Sequence, residues 1–150
     1  MGLSLNYSIY GTGHITNLSI DTGMGTVGLG AGNDSAVDKM DGSPACHQII
    51  GCGSNELATY NDGDGVSGQS VGYTSPAING FTVKVTRGME SATVEPVVSV
   101  AAKGTIMGAT IGAGVSSIDY KATGTADIDP SFVTVGYSLA GLSLGYAAYD

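Results

Sequence analysis

Residues 133–148 read Val-Thr-Val-Gly-Tyr-Ser-Leu-Ala-Gly-Leu-Ser-Leu-Gly-Tyr-Ala-Ala. Val133, Val135, Tyr137 and Leu139 alternate with Thr134, Gly136 and Ser138. After Ala140-Gly141 the period resumes, with Leu142, Leu144, Tyr146 and Ala148 against Ser143, Gly145 and Ala147. Period two places the large apolar side chains on one face of an extended chain and the small ones on the other. Two such runs about a tight Gly-bearing turn form a β-hairpin. The second face decides what kind of sheet this is. A soluble sheet with one buried face covers the other with Lys, Glu and Arg. Here that face is Gly, Ser, Thr and Ala, which suits a crowded, water-filled interior better than an open surface.

The same pattern extends through the chain. Hydrophobic residues make up 42% and charged residues only 12%, Trp is absent, and 25 of the 150 residues are Gly. Val, Thr, Ile and Tyr outweigh the strong helix formers, which makes the chain all-β. Gly without a three-residue period excludes collagen. The length suits one domain, residues 1–150. Nine strands are expected, at about Leu3–Tyr10, Ile15–Asp21, Thr26–Gly30, Gln69–Tyr73, Phe81–Thr86, Val94–Ala102, Met107–Ser116, Val133–Leu139 and Leu142–Ala148. Lys103-Gly104 reads as the tight turn before the seventh strand. Pro96 is tolerable only near the start or at an edge of the sixth.

The connections alternate in length. Short ones fall at Thr22–Gly25, Thr74–Gly80, Lys103–Gly104 and Leu139–Gly141. The long ones are residues 31–68, Gly88–Thr93 and Ser117–Pro130, and only Gly11–Gly13 is short on the long side. Short turns at one end and longer loops at the other describe an antiparallel up-and-down transmembrane β-barrel. Tyr73, Phe81, Tyr137 and Tyr146 flank the short turns, as an interfacial girdle does. Val83, Val85, Met107, Ile111, Val133, Val135, Leu142 and Leu144 should then face lipid, and Lys84, Thr110, Thr134 and Ser143 the lumen. No apolar run reaches the ~18–20 residues of a membrane helix. Met1 leads directly into strand-like sequence, with no basic n-region or apolar h-region.

Residues 31–68 form an uncommonly long loop for a compact domain, and such loops are usually functional or disordered. Asp34 to Met40 suits a helical turn capped by Asn33 or Asp34. The loop carries Asp34, Asp38, Lys39, Asp41, Glu56, Asp62 and Asp64. Cys46 and Cys52 lie in it too. A local disulfide is the favoured reading for an exported chain, with two free thiols as the alternative. A metal site using His47 lacks an evident fourth ligand. Asn61-Asp-Gly-Asp-Gly65 is turn chemistry; Asp62 and Asp64 offer Ca²⁺ ligands, without the downstream Glu of an EF-hand loop. The net charge of −8 favours cationic partners. Five basic residues spread singly argue against nucleic acid. His14 and His47 have no base, nucleophile or ligand set beside them. There is no Ser/His/Asp set and no phosphate loop, and Gly28-Leu-Gly30 reads as strand glycine, so an enzyme is not expected.

Two segments carry a family resemblance. Residues 18–42, LSIDTGMGTVGLGAGNDSAVDKMDG, resemble the strand before the constriction loop of Gram-negative general porins. Residues 71–88, VGYTSPAINGFTVKVTRG, resemble the strand pair after that loop, with its Tyr-Thr-Ser-Pro…Gly-Phe turn. The resemblance covers nearly the whole chain. It implies a water-filled outer-membrane channel, needing no cofactor, for passive diffusion of small hydrophilic solutes and ions. The family's barrels are trimers of sixteen-stranded subunits about twice this length, so about nine strands correspond to the middle of one barrel. An odd, open set of strands leaves edges that lipid does not tolerate, which reads as a fragment. An eight-stranded small barrel is the runner-up. In the family the third extracellular loop folds inward and narrows the pore, which makes residues 31–68 the constriction loop. Its lining would be Asp34, Asp38, Lys39, Asp41, Glu56, Asp62 and Asp64, with a preference for cations. Lys84 would supply a basic side, and Arg87 would anchor the loop. The competing function is a secreted structural or adhesive β-protein without a pore.

Overall fold

The computed structural model describes residues 4–10, 14–30, 70–90, 92, 94–139 and 142–149. The strands are β1 Ser4–Tyr10, β2 His14–Asp21, β3 Thr26–Gly30, β4 Ser70–Thr74, β5 Phe81–Gly88, β6 Val98–Ile106, β7 Ala109–Ser117, β8 Ser131–Leu139 and β9 Leu142–Tyr149. They form one nine-stranded sheet in sequence order. All eight pairings are antiparallel. Each strand pairs only with its neighbours in the chain, the up-and-down order of a barrel wall, and the described residues hold nine strands rather than eight.

The burial is inverted relative to a soluble sheet. Thr86 and Ser99 are 0% exposed, and Ser70, Ser116 and Thr134 are buried with them. Val83, Val85, Val100, Val115, Val133, Val135, Leu142 and Leu144 are exposed. Period two thus sends the small and polar residues to the enclosed face and the branched apolar ones outward. Water would make such a surface costly, at roughly 25 cal/mol per Å² of apolar area; in hydrocarbon it is the favourable arrangement. A soluble sandwich would bury these apolar faces between two sheets, and here there is a single sheet. Ile111 and Thr110 are both half-buried, so the contrast is weakest near the β6–β7 turn. The side chain of Ser143 lies outside the description.

The sixth strand differs from expectation. It begins at Val98 rather than Val94 and runs through Lys103-Gly104 to Ile106. Pro96, which has no amide hydrogen to give a ladder, lies before it. Gly104 pairs with Phe81 and Ile111, and a Cβ there would come within 2.5 Å of Phe81 Cδ1. The glycine therefore belongs to the ladder, where its bare backbone lets the aromatic ring lie flat across it. The turn is Met107-Gly108, with φ of 48° and 83°. Met107 accordingly sits at a turn tip and not on the lipid-facing side of a strand.

The short turns collect at one end of the sheet. The Thr22–Gly25 turn is closed by the Thr22 amide donating to the Gly25 carbonyl at 3.0 Å. The Asp21 carboxylate accepts from the Gly23 amide at 3.0 Å. Asn79-Gly80 takes the left-handed conformation, with φ of 52° and 85°, which this residue pair favours. Tyr73, Phe81 and Tyr137 lie on the outward-facing parity near this end, whereas Tyr146, on the same parity, opposes Val135 at mid-strand and lies outside the expected girdle. The Tyr73 hydroxyl donates to the Met24 carbonyl at 2.6 Å, an amphipathic ring with its polar tip toward the boundary.

Candidate functional site: the enclosed wall and its rim

The functional surface of such a sheet is its enclosed face, and the strand register lays it out in rows. One row runs Thr26, Thr74, Lys84, Ala101, Gly114, Phe132. The next toward the long-loop end runs Gly28, Gly72, Thr86, Ser99, Ser116. The next toward the short-turn end runs Thr82, Lys103, Gly112, Thr134, Ala147. Hydroxyls and bare backbone dominate, which leaves room and hydrogen-bonding groups for water.

Lys84 is on this face, as its parity predicts, and is 6% exposed. Lys103 is its diagonal neighbour, because Lys84 opposes Ala101 while Lys103 opposes Thr82. Diagonal pairs of this kind lie about 7–8 Å apart. The wall therefore has two lysines at diagonal positions where sequence reading found one. Lys103 shares its parity with Ser99 and Ala101, a signal hidden by reading Lys103-Gly104 as a turn. Arg87 is different. It is exposed, on the outward-facing parity with Val83 and Val85, and is not on the wall.

The wall also carries an apolar element that sequence reading missed. Val97, Ala101, Ile118 and Phe132 are the buried hydrophobic residues among those described. Phe132 is 1% exposed and lies against Gly114, where a Cβ would collide with its ring and come within 2.7 Å of the Ala101 Cβ. The ring fits because Gly114 beside it and Ala101 one strand beyond leave that side of the row open.

At the long-loop end the segments flanking β6 and following β7 are stitched into a rim. Val94 bridges Tyr120 and Ile118 bridges Ile128. The Glu95 amide donates to the Asp119 carbonyl at 2.9 Å, and the Tyr120 amide to Asp127 Oδ1 at 2.9 Å. Lys121 pairs with Glu90. Among the described residues the rim carries the exposed Glu90, Glu95, Asp119, Asp127 and Asp129 against Lys121, with Arg87 exposed nearby at the loop end of β5. These carboxylates add to the acidic loop residues singled out from sequence.

Those loop residues, Asp34, Asp38, Lys39, Asp41, Glu56, Asp62 and Asp64, lie outside the described residues, as do Cys46, Cys52 and His47. The proposed Ca²⁺ ligands are among them. Among the described residues no group of three His, Cys, Asp or Glu is placed to hold a metal ion, and no helix is long and apolar enough to cross a membrane.

An up-and-down antiparallel sheet, apolar outside and small and polar inside, with short turns at one end and a charged rim at the other, defines a membrane-spanning β-barrel channel wall. A family model of Gram-negative porins matches residues 11–150, and the chain belongs to that family. It is accordingly an outer-membrane porin, a channel for small solutes. No curated protein and no solved structure gives a significant match.

Proposed function

We propose that this porin prefers cations. The observation that carries the reading is the rim, where five described carboxylates outnumber Lys121 and the nearby Arg87. Exposed charges of one sign at a channel mouth raise the local concentration of counter-ions. Carboxylates in a narrower, partly desolvated passage lower the energy of a cation and raise that of an anion. The loop residues Asp34, Asp38 and Asp41 act in the same sense. Lys84 and Lys103 stand on the wall with opposite charge, and with the loop carboxylates they set a field across the passage.

The test is a reversal potential in a planar bilayer under a salt gradient. The parent is compared with Asp34→Asn/Asp38→Asn/Asp41→Asn and with Glu95→Gln/Asp127→Asn/Asp129→Asn. Cation preference is expected for the parent and a smaller one for each variant. The difference should shrink between 0.1 M and 1 M salt, as the Debye length falls from ~10 Å to ~3 Å. A parent that prefers anions ends this reading. So does a pair of triple variants whose potentials match the parent at low salt.

We further infer a loop-local Cys46–Cys52 disulfide. The support is the short spacing of the only two cysteines and the oxidising compartment in which an outer-membrane protein folds. It would hold the loop's shape with a modest effect on global stability, since the ring it closes is small. Denatured protein isolated without reductant should take up no thiol reagent, and two equivalents of reagent per chain would refute the bond. Assembly as a homotrimer is also proposed; its support is the family resemblance, and cross-linking to a three-subunit species in membranes tests it.

A further inference from the structure

We propose that the tips of the short turns are seated in the headgroup–acyl boundary of the leaflet at that end of the protein, with Met107, Ile78 and Met24 inserted as apolar anchors. Left-handed turn positions are normally filled by Asn, Asp or Gly for conformational reasons, as at Asn79-Gly80. Met107-Gly108 has nearly the same backbone, with φ of 48° and 83°, but a methionine at the first position. That residue type rarely adopts a left-handed conformation, and here its side chain is 97% exposed. Strain and full exposure of an apolar side chain coincide at one position, and the left-handed conformation by itself explains neither.

The other short turns repeat the pattern. Met24 is 65% and Ile78 62% exposed, and Leu139 and Leu142, which flank the fourth turn, are 63% and 61% exposed. The nearest carboxylate, Asp21, is turned back onto the Gly23 amide. The opposite end differs: its tips carry Glu90, Glu95, Lys121, Asp127 and Asp129, with Met89 directly beside Glu90.

Continuity with the lipid-facing surface selects the occupant. Tyr73 bonds to the Met24 carbonyl, and Tyr137 lies 3.3 Å from where a Gly108 Cβ would be. The aromatic girdle and the turn tips are thus one surface. Tyr137 opposes Ala109, two residues from Met107. At ~3.4 Å per residue the tip projects about 7 Å past the girdle, within the ~5–10 Å depth to which amphipathic surfaces enter the boundary region.

The chain has no tryptophan, so each Trp variant has one indole reporter. Met107→Trp and Ile78→Trp are compared with Val133→Trp on the lipid-facing strand surface and Ala126→Trp in the rim. Each protein is reconstituted into phospholipid vesicles whose acyl chains are unlabelled, brominated near the glycerol, or brominated near the methyl end. Met107→Trp and Ile78→Trp should lose most of their emission to the shallow bromines and little to the deep ones, and should resist aqueous acrylamide. Val133→Trp should respond to the deep bromines and Ala126→Trp to acrylamide alone. Acrylamide quenching of both turn variants, without bromine quenching, places the tips in water and overturns the proposal. Protection from both quenchers shows that protein covers the tips and overturns it equally. Loss of bromine quenching at Val133→Trp as well would remove the membrane orientation itself.

Discussion

Val135→Arg is expected to destabilise the protein in phospholipid bilayers by roughly 2–4 kcal/mol, the cost of a cation near the midplane on the lipid side of a barrel. Val135 is at the centre of β8, exposed on the outward-facing parity. Leu139→Arg, at the short-turn end of the same strand, should cost only about 0–1 kcal/mol, because a side chain near the interface carries its charge to the headgroups. Val135→Leu should change little, since volume and polarity are nearly kept. The measurement is a urea titration of protein in vesicles, followed by far-ultraviolet circular dichroism. Equal costs at Val135 and Leu139 would show that depth is irrelevant, and the outward face would then not lie in hydrocarbon. The chain's own charge placement points the same way. Arg87, on the same outward-facing parity, occurs at the loop end of β5, away from the strand centre.

The second large effect is expected inside. Phe132→Ala should cost about 3–5 kcal/mol, the range for emptying a buried aromatic site. Gly114→Ala should cost about 1–3 kcal/mol by overpacking, because the new Cβ has no space between the Phe132 ring and Ala101. In the double variant the added methyl enters the space that the ring vacated. The combined cost should therefore fall below the sum by about 0.5–3 kcal/mol, as for residues in direct contact. The same urea titration reads all four corners of the cycle. Additivity within ~0.3–0.5 kcal/mol would mean that ring and glycine do not share one site.

Much of this architecture is legible in the sequence because period two is a local property. The third strand falls at Thr26–Gly30 as the pattern predicts, and the outward and enclosed faces of β5 and β8 follow from parity alone. The sixth strand was displaced because its cues were ambiguous: Lys103-Gly104 has turn chemistry, and Met107 continues an apolar alternation. Whether a glycine turns or pairs depends on its cross-strand neighbour, and Phe81 is 23 positions away from Gly104. The Lys84–Lys103 diagonal and the fit of Phe132 over Gly114 were hidden for the same reason, since both arise only from register between strands. The rim carboxylates were visible as residues in two separate loops. Only the bridges Val94–Tyr120 and Ile118–Ile128 bring them to one edge. For the acidic loop, sequence identifies the charges, but their position depends on how that loop packs.

Strand order fixes where assembly meets its largest entropic obstacle. Seven of the eight pairings join strands separated by short or moderate connections; β3 and β4 are the exception. Gly30 opposes Ser70 across the thirty-nine residues from 31 to 69, whereas Val115 opposes Ser131 across the fifteen from 116 to 130. With ~0.6 kcal/mol for each doubling of loop length, closing the first gap costs roughly 0.8 kcal/mol more than closing the second. Little regular pairing offsets this, because β3 and β4 have five residues each. The Ser70 hydroxyl bonds to the Gly30 carbonyl at 3.2 Å and the Tyr73 hydroxyl to the Met24 carbonyl across that gap. Hairpins from β5 onward can form from local contacts, and β1 to β3 likewise. If the β3–β4 seam closes in the transition state, Tyr73→Phe should slow folding by as much as it lowers equilibrium stability, a φ-value near 1; unchanged folding with faster unfolding would place the closure later.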